Sequence, residues 1–160
     1  MATVTDTYAA NRATLEILYT DLLRFLRGLD DACVRWVPPA PETNSISGMV
    51  RHTLGATAGW ITRAAGEELT GRDREAELRA TDGVADLIAV TERALEDLRQ
   101  RFDRLRGVDP AEVRRFHLVT RPGEFQESVA WCIEHAIIHA GEHWGQMQLT
   151  RQWYSVRTDA

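Results

Sequence analysis

Residues 131–146 read WCIEHAIIHAGEHWGQ, and three of the chain's five histidines, His135, His139 and His143, stand here four residues apart. The spacing is helical. Ile, Ala and Trp occupy most of the remaining surface of that helix, and a helix that is apolar nearly all round must be surrounded by other elements. This feature limits the folds open to the chain: the segment needs partners on several sides. Residues at i and i+4 stack on successive turns, roughly 40° apart about the axis, so two neighbouring imidazoles can hold one metal ion. Buried polar groups need partners, and a metal would supply one.

With His139 at zero on a helical wheel, Phe125, Ser128, Cys132, His135, His143, Gln146, Thr150 and Trp153 fall within about 40°. A polar stripe thus runs along a mostly apolar helix. The alternative is a surface stripe on a helix that packs by its other sides. The outer histidines, His135 and His143, stand about 12 Å apart along the axis, so they cannot share an ion easily. One adjacent pair must be used, and spacing alone leaves the choice open.

The partners that this helix requires are legible upstream. Leu15, Leu18, Tyr19, Leu22, Phe25, Leu26 and Leu29 keep helical spacing and predict a first helix from about Tyr8 to Gly28. Three prolines set a loop between Trp36 and Ser45. Asn44, Ser45 or Ser47 caps a second helix that runs to about Ala65. Residues 66–80 read as a charged connection. A third helix begins near Asp82, carries a seam from Val84 to Leu105, and ends at Gly107 and Pro110. In residues 112–124, Phe116, Leu118 and Thr120 alternate with His117, Val119 and Arg121, as a short extended segment would. The fourth helix is predicted from Glu124 or Phe125 to about Trp153. Four long helices with apolar seams indicate an all-α four-helix bundle, in one domain spanning residues 1–160.

The second helix offers a complement to the fourth. His52 is its only histidine, and Gly48, Gly55, Ala56 and Gly59 lie on the same side. Small residues there leave room for water or substrate, or else admit a closely packed neighbour. A histidine triad with an open fourth position is the arrangement of a catalytic metal site, whereas a closed site of four histidines would be structural.

Composition narrows the function. The formal net charge is −5, and all 19 basic residues are Arg. With a pI near 5.5, no basic stripe is available for phosphates, which argues against nucleic-acid partners and against an anionic membrane surface. No apolar run approaches the roughly 20 residues of a membrane span. The N-terminal MATVTDTYAANRATLE lacks the basic and apolar regions of a signal peptide, so a cytoplasmic location is expected. Cys33 and Cys132 are too few for a disulfide framework and are expected to be reduced.

These features resemble the DinB/YfiT-like superfamily of metal-dependent bundle proteins, over nearly the whole chain. The landmarks are Trp36 before the Pro-rich loop, the run NSISGMVRH that ends at His52, and His139-x-x-x-His143-Trp-Gly-Gln146 followed by Arg151. The resemblance implies metal ligation by His52, His139 and His143. It leaves His135 as pocket lining or as a support for the ligands. It also implies a homodimer, since relatives often pair, and five Trp in a small chain favour a covered apolar surface.

Some relatives are S-transferases using low-molecular-weight thiols such as bacillithiol or mycothiol. The expected function is therefore transfer of such a thiol to an electrophilic small molecule. A metal-dependent hydrolase of small esters or amides and a non-catalytic metal-binding bundle are the alternatives. Three histidines suit Zn or Ni, with Fe or Cu also possible. Glu142 is a candidate base or hydrogen-bond partner for a ligand imidazole, with solvation the ordinary state of such a residue. Arg63 and Arg151 are candidate carboxylate contacts, and Cys132 reads as a small core residue.

Overall fold

The computed structural model describes residues 7–118 and 120–157. Val119 of the alternating segment and the first six residues of the N-terminal stretch lie outside them. Six helices and one hairpin follow in the order α1 (Ala9–Leu26), α2 (Asp31–Arg35), α3 (Ile46–Ala64), α4 (Arg74–Leu78), α5 (Val84–Asp103), β1 (Val113–Leu118), β2 (Arg121–Ser128) and α6 (Val129–Val156).

The four long helices pack in a closed ring, α1 on α5, α5 on α3, α3 on α6 and α6 on α1. Their apolar seams meet in one cluster, with Leu15, Tyr19, Leu22 and Leu26 from α1 against Val50 and Ile61 of α3, Leu87 and Leu98 of α5, and Ile133, Ala140 and Met147 of α6. Ser45 caps α3 by accepting a hydrogen bond from the Gly48 amide at 3.0 Å. This satisfies one of the amides left open at a helix start. Among the described residues no helix is long and apolar enough to cross a membrane.

Three local expectations are corrected. The short α2 and α4 were not foreseen. Each is opened by an aspartate, Asp30 accepting from the Cys33 amide at 2.7 Å and Asp73 from the Ala76 amide at 3.0 Å. Neither helix is long enough to display an apolar period.

The fourth long helix begins at Val129, not at Glu124 or Phe125. Residues 121–128 instead pair antiparallel with 113–118, in a register that sets Phe116 opposite Phe125. Their rings stack at 6.1 Å, the cross-strand contact that stabilises a hairpin. Ser128 then caps α6, accepting from the Trp131 amide at 3.1 Å. Phe125 and Ser128 therefore do not belong to the helical stripe. At its other end α6 runs on to Val156, one turn past Trp153.

Candidate metal centre

The α3–α6 contact brings His52, His139 and His143 together. One potential ligand atom from each lies within 4.8 Å of the other two. The ring centroids are 5.1 Å apart for His52–His139, 5.1 Å for His52–His143 and 4.5 Å for His139–His143. His52 is 4% exposed, so its ring is committed to the interior between the helices.

Two of the three rings are fixed from behind. Nδ1 of His52 lies 3.1 Å from a carboxylate oxygen of Glu77, at the end of α4. Arg72 holds that carboxylate through two contacts, Nε to Oε1 at 2.9 Å and Nη2 to Oε2 at 2.7 Å. The same Nη2 lies 3.2 Å from His52 Nδ1. Its nearer acceptor is the carboxylate, so we assign the Nδ1 proton as donated by His52 to Glu77. Nδ1 of His143 stands 2.7 Å from the Gln146 amide oxygen. In both residues Nε2 is then the nitrogen left to face a ligand, and such outer contacts orient metal-binding imidazoles.

His139 differs. Its Nδ1 is buried and finds no hydrogen-bond partner among the described residues. An orphaned buried imidazole nitrogen is costly, and here it sits beside two rings oriented by their own partners. The donor set is three nitrogens of borderline softness, which suits Zn or a neighbouring transition ion.

The protonation states agree. Burial holds the His139 pKa down to about 3, with the neighbouring histidines adding to the effect. Burial also lowers that of His143, against the opposing hydrogen bond to Gln146. Both rings are neutral at pH 7, as metal ligands must be. For Glu77, burial pushes the pKa up, but hydrogen bonds from His52 and Arg72 and the Arg72 charge outweigh it and hold the group low. The residues present therefore fit a divalent ion.

His135 stands outside this cluster. Its ring stacks on Trp131 at 4.7 Å and meets Trp60 edge-on at 4.4 Å. The small residues of α3 do not open a space for substrate. A Cβ on Gly48 would stand 2.3 Å from the Leu78 carbonyl oxygen, and one on Gly55 would stand 2.0 Å from the Glu77 carboxylate. They admit α4 and the loop before it, which is what delivers Glu77 to His52.

Glu142 is exposed, and no hydrogen bond joins it to a ligand ring among the described residues; Glu77 and Gln146 fill that role. Cys132 is fully buried, and burial pushes its thiol up to about 11, so it is a core residue. Arg151 is exposed, and Arg63 lies over the rings of Trp60 at 5.0 Å and Phe116 at 5.6 Å. A groove of about 750 Å³ opens beside Arg63, lined by Leu69 and Phe116 among others. None of the three clustered histidines lines it, so we place the chemistry at the histidines.

Glu77 and Arg72 went unrecognised in the sequence. Asp73 followed by R-E-A-E-L carries the signal of a capped short helix, but nothing local connects Glu77 with a histidine 25 residues earlier.

A model of the DinB superfamily matches residues 14–147. The chain belongs to the DinB superfamily. A comparison with curated proteins returns no match. The matched span includes His52, His139, His143 and Gln146, and it also takes in α4 with Glu77.

Proposed function

We propose that this DinB-superfamily chain is a four-helix-bundle enzyme of the DinB/YfiT type, which transfers a low-molecular-weight thiol to an electrophilic small molecule with the help of a divalent metal. The observation that carries this reading is the convergence of His52, His139 and His143, with one ligand atom each within 4.8 Å. Three protein ligands leave a position for a further group. A divalent ion held there would keep a coordinated thiol in its thiolate form at neutral pH.

The protein's own residues would set the geometry. Glu77 fixes His52, Gln146 fixes His143, and the ring of His139, with its buried Nδ1, completes the set. In the overall reaction the thiol sulfur forms a new S–C bond. The leaving group departs with its bonding electron pair, and the thiol proton passes to solvent.

Hydrolysis is the alternative reading, since the same ion would lower the pKa of a bound water. Glu77 is tied to Arg72 and His52, and Glu142 is exposed, with no hydrogen bond to the rings among the described residues. Metal content of the purified protein comes first, followed by turnover of a chlorodinitrobenzene electrophile with added thiol and Zn or Ni. Turnover that requires both thiol and metal, and is lost in His52→Ala, supports the proposal. Cleavage of a nitrophenyl ester without thiol would favour the hydrolase. Stoichiometric metal without either reaction would favour a binding protein.

A further inference from the structure

The groove beside Arg63 lies between the C-terminal end of α3, residues 66–69 and strand β1. Its volume, about 750 Å³, falls within the roughly 300–1,000 Å³ usual for small-molecule sites. Trp60 and His135 link it to the metal centre without opening it there. The Trp60 ring carries the Arg63 guanidinium on one side and meets His135 at 4.4 Å, and the His135 ring is 6.2 Å from that of His139. The groove is thus a separate site.

Arg63 is half-buried in the groove wall. Its contacts with the rings of Trp60, at 5.0 Å, and Phe116, at 5.6 Å, hold the guanidinium in place. Such cation–π contacts leave the N–H donors unused. Among the described residues nothing accepts a hydrogen bond from them. The other half-buried arginines differ: Arg51, Arg72, Arg101 and Arg114 hold the carboxylates of Asp82, Glu77, Asp97 and Glu112. Burial, followed by the Arg72 charge, holds the Arg63 pKa below the usual guanidinium value, yet an arginine stays protonated at neutral pH. A part-buried cation without an acceptor is costly, and a carboxylate is the group that its planar fork fits in bidentate fashion. The nearby Glu67 is committed to Arg104 at 2.9 Å.

Beside this cation the groove is apolar. Arg63 and Leu69 come side by side over Gly59, where an added Cβ would stand 3.0 Å from Leu69 Cδ2 and 3.4 Å from Arg63 Nη1. Phe116 and Val113, the latter 53% or more open to solvent at 56%, continue the apolar wall along β1. We propose that this groove binds a small monocarboxylate bearing an apolar or aryl group. The carboxylate pairs with the N–H edge of Arg63, and the apolar part lies against Leu69, Val113 and Phe116. Glu68, exposed on the same wall and without an ion pair to Arg63, opposes a second anionic group on the ligand.

Titration of the metal-free protein with phenylbutyrate, followed by protein NMR, is the test. The probe carries no thiol, so the outcome is independent of the proposed transferase activity. Binding is expected at roughly 1–10 mM, as suits a fragment of this size, with shifts at the Arg63 side chain and at residues 66–69 and 113–117. Arg63→Gln should weaken it by about tenfold or more, the worth of a hydrogen-bonded charge. The neutral phenylbutyramide should bind the wild type more weakly by a similar factor, a comparison that stands even if Arg63→Gln fails to fold. An amide that binds as tightly as the acid would overturn the proposal. So would an Arg63→Gln protein that keeps wild-type affinity, or shifts that fall outside the groove.

Discussion

The Glu77 carboxylate lies 3.1 Å from Nδ1 of His52, with α4 held against α3 to bring it there. Losing an outer partner of a ligand imidazole typically lowers metal affinity by about 10–100-fold. Glu77→Ala is therefore expected to weaken Zn binding by that factor in a calorimetric titration. Gly55→Ala should do the same with both residues left in the sequence, because its new Cβ would stand 2.0 Å from the carboxylate and displace it. Unchanged affinity in both variants would show that the Glu77 contact does not position His52.

His143→Ala is expected to abolish binding of a divalent ion at micromolar concentration, and His135→Ala to leave most of it. His143 belongs to the three-ring cluster, and without it two ligands remain. His135 is occupied between Trp60 and Trp131, with its ring centroid 6.2 Å from that of His139. Titration of both variants decides the matter. If His135→Ala is the one that loses the ion, the ligand pair on α6 has been assigned one turn too low.

The long helices were legible because they rest on periodicity. Apolar seams announced α1, α3 and α5, and the repeat of four announced an adjacent histidine pair on α6, while the choice of His139 and His143 with His52 came from the resemblance. What stayed hidden depends on contacts between distant residues. The start of α6 at Val129 was missed because Phe125, which suits a helix face by spacing, is paired with Phe116 in the hairpin. The small residues of α3 fitted either a cavity or a close neighbour, and only the position of Leu78 and Glu77 decides for the neighbour.

That close packing carries a stability prediction. A methyl group at Gly48 would stand 2.3 Å from the Leu78 carbonyl oxygen, a backbone atom that cannot swing aside. Gly48→Ala should therefore destabilise the protein by about 1–3 kcal/mol, the usual cost of overpacking. Gly141→Ala is the control, because its new Cβ would meet nothing within 4 Å. There the gain in helix propensity should stabilise by roughly 0.5–1 kcal/mol. Thermal melts of dilute protein should separate the two variants in opposite directions from the wild type. A Gly48→Ala melt at or above the wild-type midpoint would show that α4 is not seated against α3.

The metal-free protein should lose stability as the pH falls below neutrality, and His139 sets the window. Its folded-state pKa is held at about 3, first by burial and then by the adjacent histidines, whereas an unfolded histidine titrates near 6.5. Between those values the unfolded chain binds a proton that the folded chain refuses, so stability rises with pH across that range. Acidification therefore begins to destabilise near pH 6.5. The limit for one excluded proton is about 1.4 kcal/mol per pH unit. His143 and His135 are shifted in the same direction and steepen the loss. Glu77 is held low and matters only in the acid range, near and below the ordinary carboxylate pKa of about 4.3. Melting midpoints measured from pH 7.5 to 5 thus isolate the histidines. His139→Asn, which cannot take up the proton, should show a shallower decline than the wild type over that interval. Parallel declines for the two proteins would mean that the His139 ring is free to protonate in the folded state. The buried, unpartnered nitrogen would then not be the constraint the structure indicates.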